Sequence, residues 1–405
     1  MNELGGVEPH DLSGYSRTTY KQLLPCPLCD GLTGVEMVLE NLPVIGLGRV
    51  PVGYGFCCVC GHIYQTTPPH ADTLEKYYSQ FSNYAGRKQA IEPSAMTRRL
   101  MDLGRLKPGM KVYEVGCATG DHLSWIREAG CEVGGCEPSQ AACDKAKEFY
   151  GLAIDCGLER DFLPRQMGLN LVLFSGVLEH LPDPVWALKR AKTALAPDGH
   201  VLLEVPCATS PESLPPGWLA FEHLHYYTPH AVKRLLELSG FELLEARISY
   251  RDFIYPVITA IGRKASKILN ARDGDATASR EFIKTYMDRD NAFWAKAAQK
   301  INELPPDLDE DLVIWGAGIH TSQLLDRLPT LSRRVKYIVD RDPQKWGKQI
   351  AGLDVLEPGT YIRGVMGPFM DQTMLLVSSY ANEMDIVKEL AASDVPESLI
   401  IRLYN

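Results

Sequence analysis

Two cysteine pairs and one glycine-bearing turn are the parts of this chain whose residue types and spacing can do chemistry. Pro25-Cys26-Pro27-Leu28-Cys29 and Cys57-Cys58-Val59-Cys60 form two Cys-x-x-Cys knuckles, separated by enough chain for a short strand or two. Four thiolates fill a tetrahedral zinc shell and leave no position for water. Cys26, Cys29, Cys57 and Cys60 therefore predict a structural zinc site that supports folding and does not catalyse. Cys58 is either free or takes the place of Cys57, and His62 and His70 are weaker ligand candidates. Of the 11 cysteines, the remaining six are scattered between 117 and 207 and read as small core residues.

The second feature is Val112-Tyr113-Glu114-Val115-Gly116-Cys117-Ala118-Thr119-Gly120, an apolar strand that runs into a turn with two glycines. Glycine there allows a tight turn and close approach of a ligand, and a helix starting at Asp121 would point its amides at that ligand. The next strand, Cys131-Glu132-Val133-Gly134-Gly135-Cys136-Glu137, ends in a carboxylate about 20 positions on, where a ribose diol needs an acceptor. The turn reads Glu-x-Gly-x-x-x-Gly and not G-x-G-x-x-G, which favours an adenosyl ligand over a pyrophosphate.

This pattern resembles motif I of class I S-adenosylmethionine methyltransferases. The resemblance implies that Glu114, Gly116 and Gly120 cradle the methionine part of S-adenosylmethionine and that Glu137 holds the ribose. It continues through a buried strand ending at Ser175, which is counted with the donor site. Next come Gly176-Val177-Leu178-Glu179-His180-Leu181-Pro182-Asp183, which resembles the segment on the cofactor and substrate side, and the strand from Gly199 to Pro206. A generic Rossmann-like unit with another ligand is the plain alternative.

Further on, Trp218-Leu219-Ala220-Phe221-Glu222-His223-Leu224-His225-Tyr226-Tyr227-Thr228 gathers two histidines, a carboxylate and two tyrosines before a helix that Thr228 caps. A glutamate beside a histidine can orient the ring, and an imidazole that titrates near neutral pH can take a proton next to a carbonyl. Packing of a histidine against Tyr226 or Tyr227 is the plain alternative.

In this order, the knuckles, the methyltransferase-like core, the Glu-His-Leu-x-Tyr-Tyr segment and a final nucleotide-type domain resemble the zinc-containing sugar C-methyltransferases acting on nucleotide-linked ketosugars. The final domain carries the likeness through Leu312-Val313-Ile314-Trp315-Gly316-Ala317-Gly318 and a strand closing at Asp340. By that resemblance His223 is the base that removes the proton beside the keto group, Glu222 supports it and His180 steadies the enolate oxygen. Tyr84 and His225 are expected as substrate contacts. Ala220 stands where that family usually carries a tyrosine. From its residues alone, the final domain also fits a dinucleotide or a purely structural role.

The elements that must position these groups follow. The fold class is α/β: a tail at 1–20, a zinc module at 21–68, a connecting helical segment at 69–109 and a Rossmann-like methyltransferase core at 110–248. A helical linker at 249–308 then leads to a C-terminal Rossmann-like domain at 309–405. A net charge of -9, with 45% hydrophobic and 23% charged residues, argues against broad nucleic-acid affinity. A zinc-containing RNA methyltransferase is the architectural competitor; O- or N-methylation of another small molecule and a non-enzymatic binding protein are the others. There is no run of 18 apolar residues and no basic-then-apolar start, so the expectation is a cytoplasmic protein that does not bind membranes.

Overall fold

A computed structural model describes residues 25–31, 37–80, 89–250, 255–265, 276–304, 312–365 and 373–404. The tail at 1–20 and Tyr84 lie outside the described residues. After the first knuckle, β1 (Met37–Val44), β2 (Gly48–Phe56) and β3 (Ile63–Gln65) form an antiparallel sheet. Helices α1 (Ala71–Gln80) and α2 (Ala95–Leu103) follow. The α2 helix starts at Ser94, whose side chain accepts from the Thr97 amide and so satisfies one of the free donors of the first turn.

The central unit alternates β4 (Lys111–Val115), α3 (Asp121–Glu128), β5 (Glu132–Glu137), α4 (Gln140–Tyr150), β6 (Asp155–Cys156), α5 (Glu159–Phe162), β7 (Leu169–Ser175), α6 (Pro184–Ala194) and β8 (Leu195–Pro206). The short β9 (His225–Tyr226) leaves this unit and pairs with β3, adding a fourth strand to the N-terminal sheet. The chain returns through α7 (Pro229–Leu238), β10 (Phe241–Ser249) and β11 (Val257–Lys264).

The sheet order is β10-β11-β8-β7-β4-β5-β6, with β11 antiparallel to both of its neighbours. The core expected to close at 248 thus continues to Lys264. Its last strand inserts between β8 and β10, because Ile258, Ala260 and Ile261 are apolar and need both neighbours to be buried. The segment expected as a helical linker from 249 therefore begins as a strand. It then becomes α8 (Ala276–Asn302), a 27-residue helix.

The C-terminal unit contains β12 (Leu312–Trp315), α9 (Ile319–Arg327), β13 (Val335–Val339), β14 (Gln349–Ile350), β15 (Leu353–Leu356), α10 (Pro358–Val365), β16 (Met374–Val377), α11 (Glu383–Ala392) and β17 (Ile400–Arg402). Its sheet order is β14-β15-β13-β12-β16-β17, parallel except at β14. The three units share apolar packing. Val52 and Tyr54 of β2, Trp218 of the central loop and Phe282 of α8 belong to one core, and Ile45 joins Trp294 and Leu324 in another. Among the described residues no helix is long and apolar enough to cross a membrane.

Candidate active site

One cavity of about 1170 Å³ runs from the glycine turn after β4, past the two Glu-His pairs, to the glycine turn after β12. At the first end, Gly116 has φ +66°, and a Cβ there would lie 2.6 Å from Val177. A side chain would therefore fill the cradle as well as strain the backbone. Glu114 lines the cavity and is 1% exposed: its Oε1 lies 2.7 Å from His122 Nδ1, while Oε2 is buried without a hydrogen-bond partner. A buried carboxylate oxygen of this kind suits a ligand ammonium group.

Glu137 accepts from the Ala118 amide (3.0 Å) and the Ser139 amide (2.9 Å), which fixes it at the cavity wall where a ribose would lie. Ser175 and Gly176 also line the cavity. Gly120, expected in the donor cradle, does not. Its φ is +79°, and a Cβ there would meet Leu152 at 2.8 Å, so it lets the start of α3 pack closely instead. These residues fit the methionyl and ribosyl parts of S-adenosylmethionine.

Midway along the cavity, His180 Nδ1 lies 2.8 Å from the Glu222 carbonyl. A carbonyl only accepts, so Nδ1 carries the hydrogen and Nε2 presents its lone pair, 3.9 Å from Glu179 Oε1. The Tyr78 hydroxyl approaches the same Nδ1 at 2.8 Å and donates to the Glu222 carbonyl at 3.3 Å. The rings of His180 and His223 meet edge to face at 4.8 Å. Burial pushes the Glu179 carboxyl up to about 8 and holds His180 down at about 4. Burial, reinforced by His180, keeps His223 well below the ordinary imidazole value. Burial also raises Glu222, while a hydrogen bond from Tyr77 and the charge of Lys345 pull it back. The site thus holds two neutral imidazoles beside two carboxyl groups.

The loop carrying Glu222 and His223 is held from three sides. Gln65 of β3 donates from one Nε2 to the carbonyls of Ala220 (3.2 Å), Phe221 (2.8 Å) and His223 (2.9 Å). From α8, Asp290 accepts the Gly217 amide at 2.7 Å and Tyr286 accepts the Trp218 amide at 2.8 Å. From α9, Gln323 donates to the carbonyls of Gly217 (3.2 Å) and Leu219 (2.9 Å).

His225, expected as a substrate contact, is absent from the cavity wall. Its Nε2 donates to the Leu181 carbonyl at 2.9 Å and its Nδ1 lies 3.1 Å from His62 Nε2, with the two rings stacked at 5.3 Å. It ties the N-terminal sheet to the β7–α6 loop. Tyr78 belongs to an aromatic-rich stretch of the kind that can wall a pocket, whereas Glu179 and Lys345 were not expected at the site. Glu179 had a signal, since Glu179-His180-Leu181 repeats Glu222-His223-Leu224.

At the far end the glycine turn is built like the first. The Gly316 amide donates to Val339 as that of Gly116 does to Cys136, both at 2.8 Å. Asp340 accepts from the amides of Ala317 (2.7 Å) and Asp342 (2.8 Å) and pairs with Lys345 at 3.1 Å.

Away from the cavity, Cys26, Cys29, Cys57 and Cys60 bring their sulfurs within 4.8 Å of one another, with Cys26–Cys60 at 3.6 Å and Cys29–Cys57 at 3.4 Å. Amides of Leu28, Val59 and Cys60 point at Cys26 or Cys57 sulfur at 3.3–3.4 Å, as they do around metal-bound thiolates. Cys58 is exposed and stands apart, which leaves Cys57 as the ligand candidate.

Residues 88–246 match the family described as "Methyltransferase domain". Over 159 residues the chain is 28% identical to the C-methyltransferase NovU of Streptomyces niveus, covering 36% of this chain and 37% of NovU. Over 101 residues it is 33% identical to the ubiquinone biosynthesis O-methyltransferase of Actinobacillus pleuropneumoniae serotype 7 (strain AP76), covering 22% of this chain and 43% of that protein. The chain thus spans well under half the length of these relatives. Among solved structures, the [4+2]-cyclase SpnF superposes with a TM-score of 0.41 at 15% identity, covering 49% of this chain and 98% of SpnF. The CcbJ methyltransferase of Streptomyces caelestis gives 0.39 at 16%, covering 47% and 98%. With the family match lying on the donor cradle, the chain carries, over residues 88–246, a class I S-adenosylmethionine-dependent methyltransferase domain.

Proposed function

We propose that this methyltransferase C-methylates a nucleotide-linked ketosugar, with His223 as the base. The observation that carries the reading is the single cavity joining the donor cradle, the Glu222–His223 pair and the second glycine turn. It gives donor, reacting carbon and nucleotide one continuous space. The resemblance to NovU, whose name states C-methylation, points the same way.

When bound, the donor supplies a methyl group already activated on a sulfonium, so alignment and timely proton removal account for most of the chemistry. Burial keeps the His223 ring neutral, the form that can accept a proton. The proton beside the keto group passes to His223, and the electron pair of that C–H bond forms the enolate. Glu114, Gly116 and Glu137 would hold the donor, which would supply its methyl group to the enolate carbon and keep the C–S bonding pair on sulfur. His180, expected to steady the enolate oxygen, donates its one ring hydrogen to the Glu222 carbonyl and turns a lone pair to the cavity, so it can only accept a hydrogen bond there. Glu222, anchored through Tyr77, orients the base. Lys345 and Arg341 line the cavity at the second glycine turn, paired there with Asp340 and Glu389, and are the cations within reach of a diphosphate.

Four thiolates around one centre match zinc, whose Zn–S distance of about 2.3 Å implies sulfur separations of about 3.8 Å in a tetrahedron. Zinc there would brace β2 and β3, and through Gln65 the catalytic loop.

The test is a panel of nucleotide ketosugars incubated with labelled methyl donor in D2O. The expected result is label on carbon, together with deuterium exchange at the same carbon when the donor is replaced by its demethylated product. Label on oxygen or nitrogen without exchange would instead support methylation of another small acceptor, a reading favoured by the identity to ubiquinone O-methyltransferases.

A further inference from the structure

Glu179, His180 and His223 each offer one ligand atom, and these atoms lie within 4.8 Å of one another. Glu179 is only 3% exposed, lines the cavity and leaves Oε2 without a hydrogen-bond partner. His223 leaves Nδ1 unpartnered in the same place. No Lys or Arg among the described residues forms an ion pair with Glu179. Burying a carboxyl oxygen without a partner is costly, so the cluster is arranged for something the protein chain does not itself provide.

Two imidazoles and one carboxylate around an open space are the donor set of first-row divalent cations, with positions left for water or a substrate oxygen. The far nitrogen of His180 is fixed by the Glu222 carbonyl, the kind of outer support that orients metal-bound histidines.

We infer that Glu179, His180 and His223 form an open three-ligand site for a divalent transition-metal cation, distinct from the four cysteines, and that filling it withdraws His223 from proton removal. The binding half stands on the cluster alone. The blocking half rests on the reading of His223 as base, because one imidazole cannot give its lone pair to a metal and to a proton at once. Binding is balanced by release of the Glu179 proton to solvent wherever that carboxyl is protonated beforehand.

The experiment titrates Co2+ into the full chain with its cysteine site already loaded with zinc. One equivalent should bind with visible d–d absorption and without thiolate charge transfer. Labelled-methyl transfer should fall with the same midpoint and recover on chelation. Glu179→Gln and His180→Asn should each weaken the cobalt signal by roughly tenfold or more while leaving zinc content and circular dichroism unchanged. Absence of the d–d band, or a band that persists in both variants, overturns the site. A band without loss of transfer overturns the blocking half. Failure of the methyltransferase reading is read separately, as absence of heat when S-adenosylmethionine is added to metal-free enzyme.

Discussion

The carbonyl oxygen of Glu179 accepts hydrogen bonds from two successive amides, those of Leu224 at 2.7 Å and His225 at 3.1 Å. With His180 donating back to the Glu222 carbonyl, the two Glu-His-Leu tripeptides clasp each other although 43 positions separate them in sequence. Neither tripeptide can shift without moving the other, so the charge arrangement of the site is set by backbone contacts as much as by side chains.

If His223 acts as the proposed base, it can be removed without disturbing the donor. His223→Ala should abolish methyl transfer while S-adenosylmethionine affinity, measured by calorimetry, stays within a few fold. A large loss of donor affinity would contradict the placement of His223 on the acceptor side.

Gln65 reaches three carbonyls of the loop carrying Glu222 and His223 from another sheet. Gln65→Leu keeps the size of the side chain but leaves those carbonyls without their donor, at about 1–3 kcal/mol for each buried group lost. Turnover should fall roughly 10- to 100-fold with donor affinity retained. Unchanged turnover would show that the loop holds its position without this residue.

At the donor end, Glu114→Gln replaces the carboxylate by an amide but keeps a side chain that can still meet His122. Affinity for S-adenosylmethionine should weaken about 10- to 100-fold, as for loss of a hydrogen bond to a charged group. Equal binding would move the ammonium site elsewhere.

Asp290 is buried, pairs with Arg327 at 2.8 Å and holds the Gly217 amide. Asp290→Ala leaves the buried guanidinium uncompensated, so chemical denaturation should report a loss of about 3–5 kcal/mol. A loss below about 1 kcal/mol would place this pair with ordinary surface ion pairs.

His320 packs beside Trp294, Tyr380 and Tyr404, and burial holds its imidazole down at about 4 against the ordinary 6.5. The unfolded chain takes up a proton near 6.5 that the folded chain refuses until about 4, so this contribution is complete above 6.5 and is lost as pH falls through that window. The loss is at most about 1.4 kcal/mol per pH unit. His320→Gln should flatten the acid limb of the melting-temperature profile; parallel profiles would refute the assignment.

Local patterns carried much of this in the sequence. The strand-turn-helix at Glu114–Gly120, the carboxylate at Glu137 and the four cysteines are each defined by residues close together in the chain, and their spacing already reflects their geometry. Long-range pairing was not legible. That β11 would enter the sheet between β8 and β10, and that His225 would face His62 and not the cavity, depend on partners far away in sequence. Tyr78 and Lys345 reach the site because whole units pack together, and no local period records that. Gly120 followed the motif but serves helix packing, since a glycine needed for close approach looks the same in sequence whichever side the approach comes from.

The cavity wall has a practical corollary. Its donor half is drawn from the segment that matches the methyltransferase domain, whereas its other half borrows Tyr78 from before that segment and Lys345 and Asp340 from after it. Swapping the flanking regions between homologous enzymes, with the middle untouched, is therefore the direct route to a new acceptor preference, and the middle expressed by itself would present its reacting groups to bulk water.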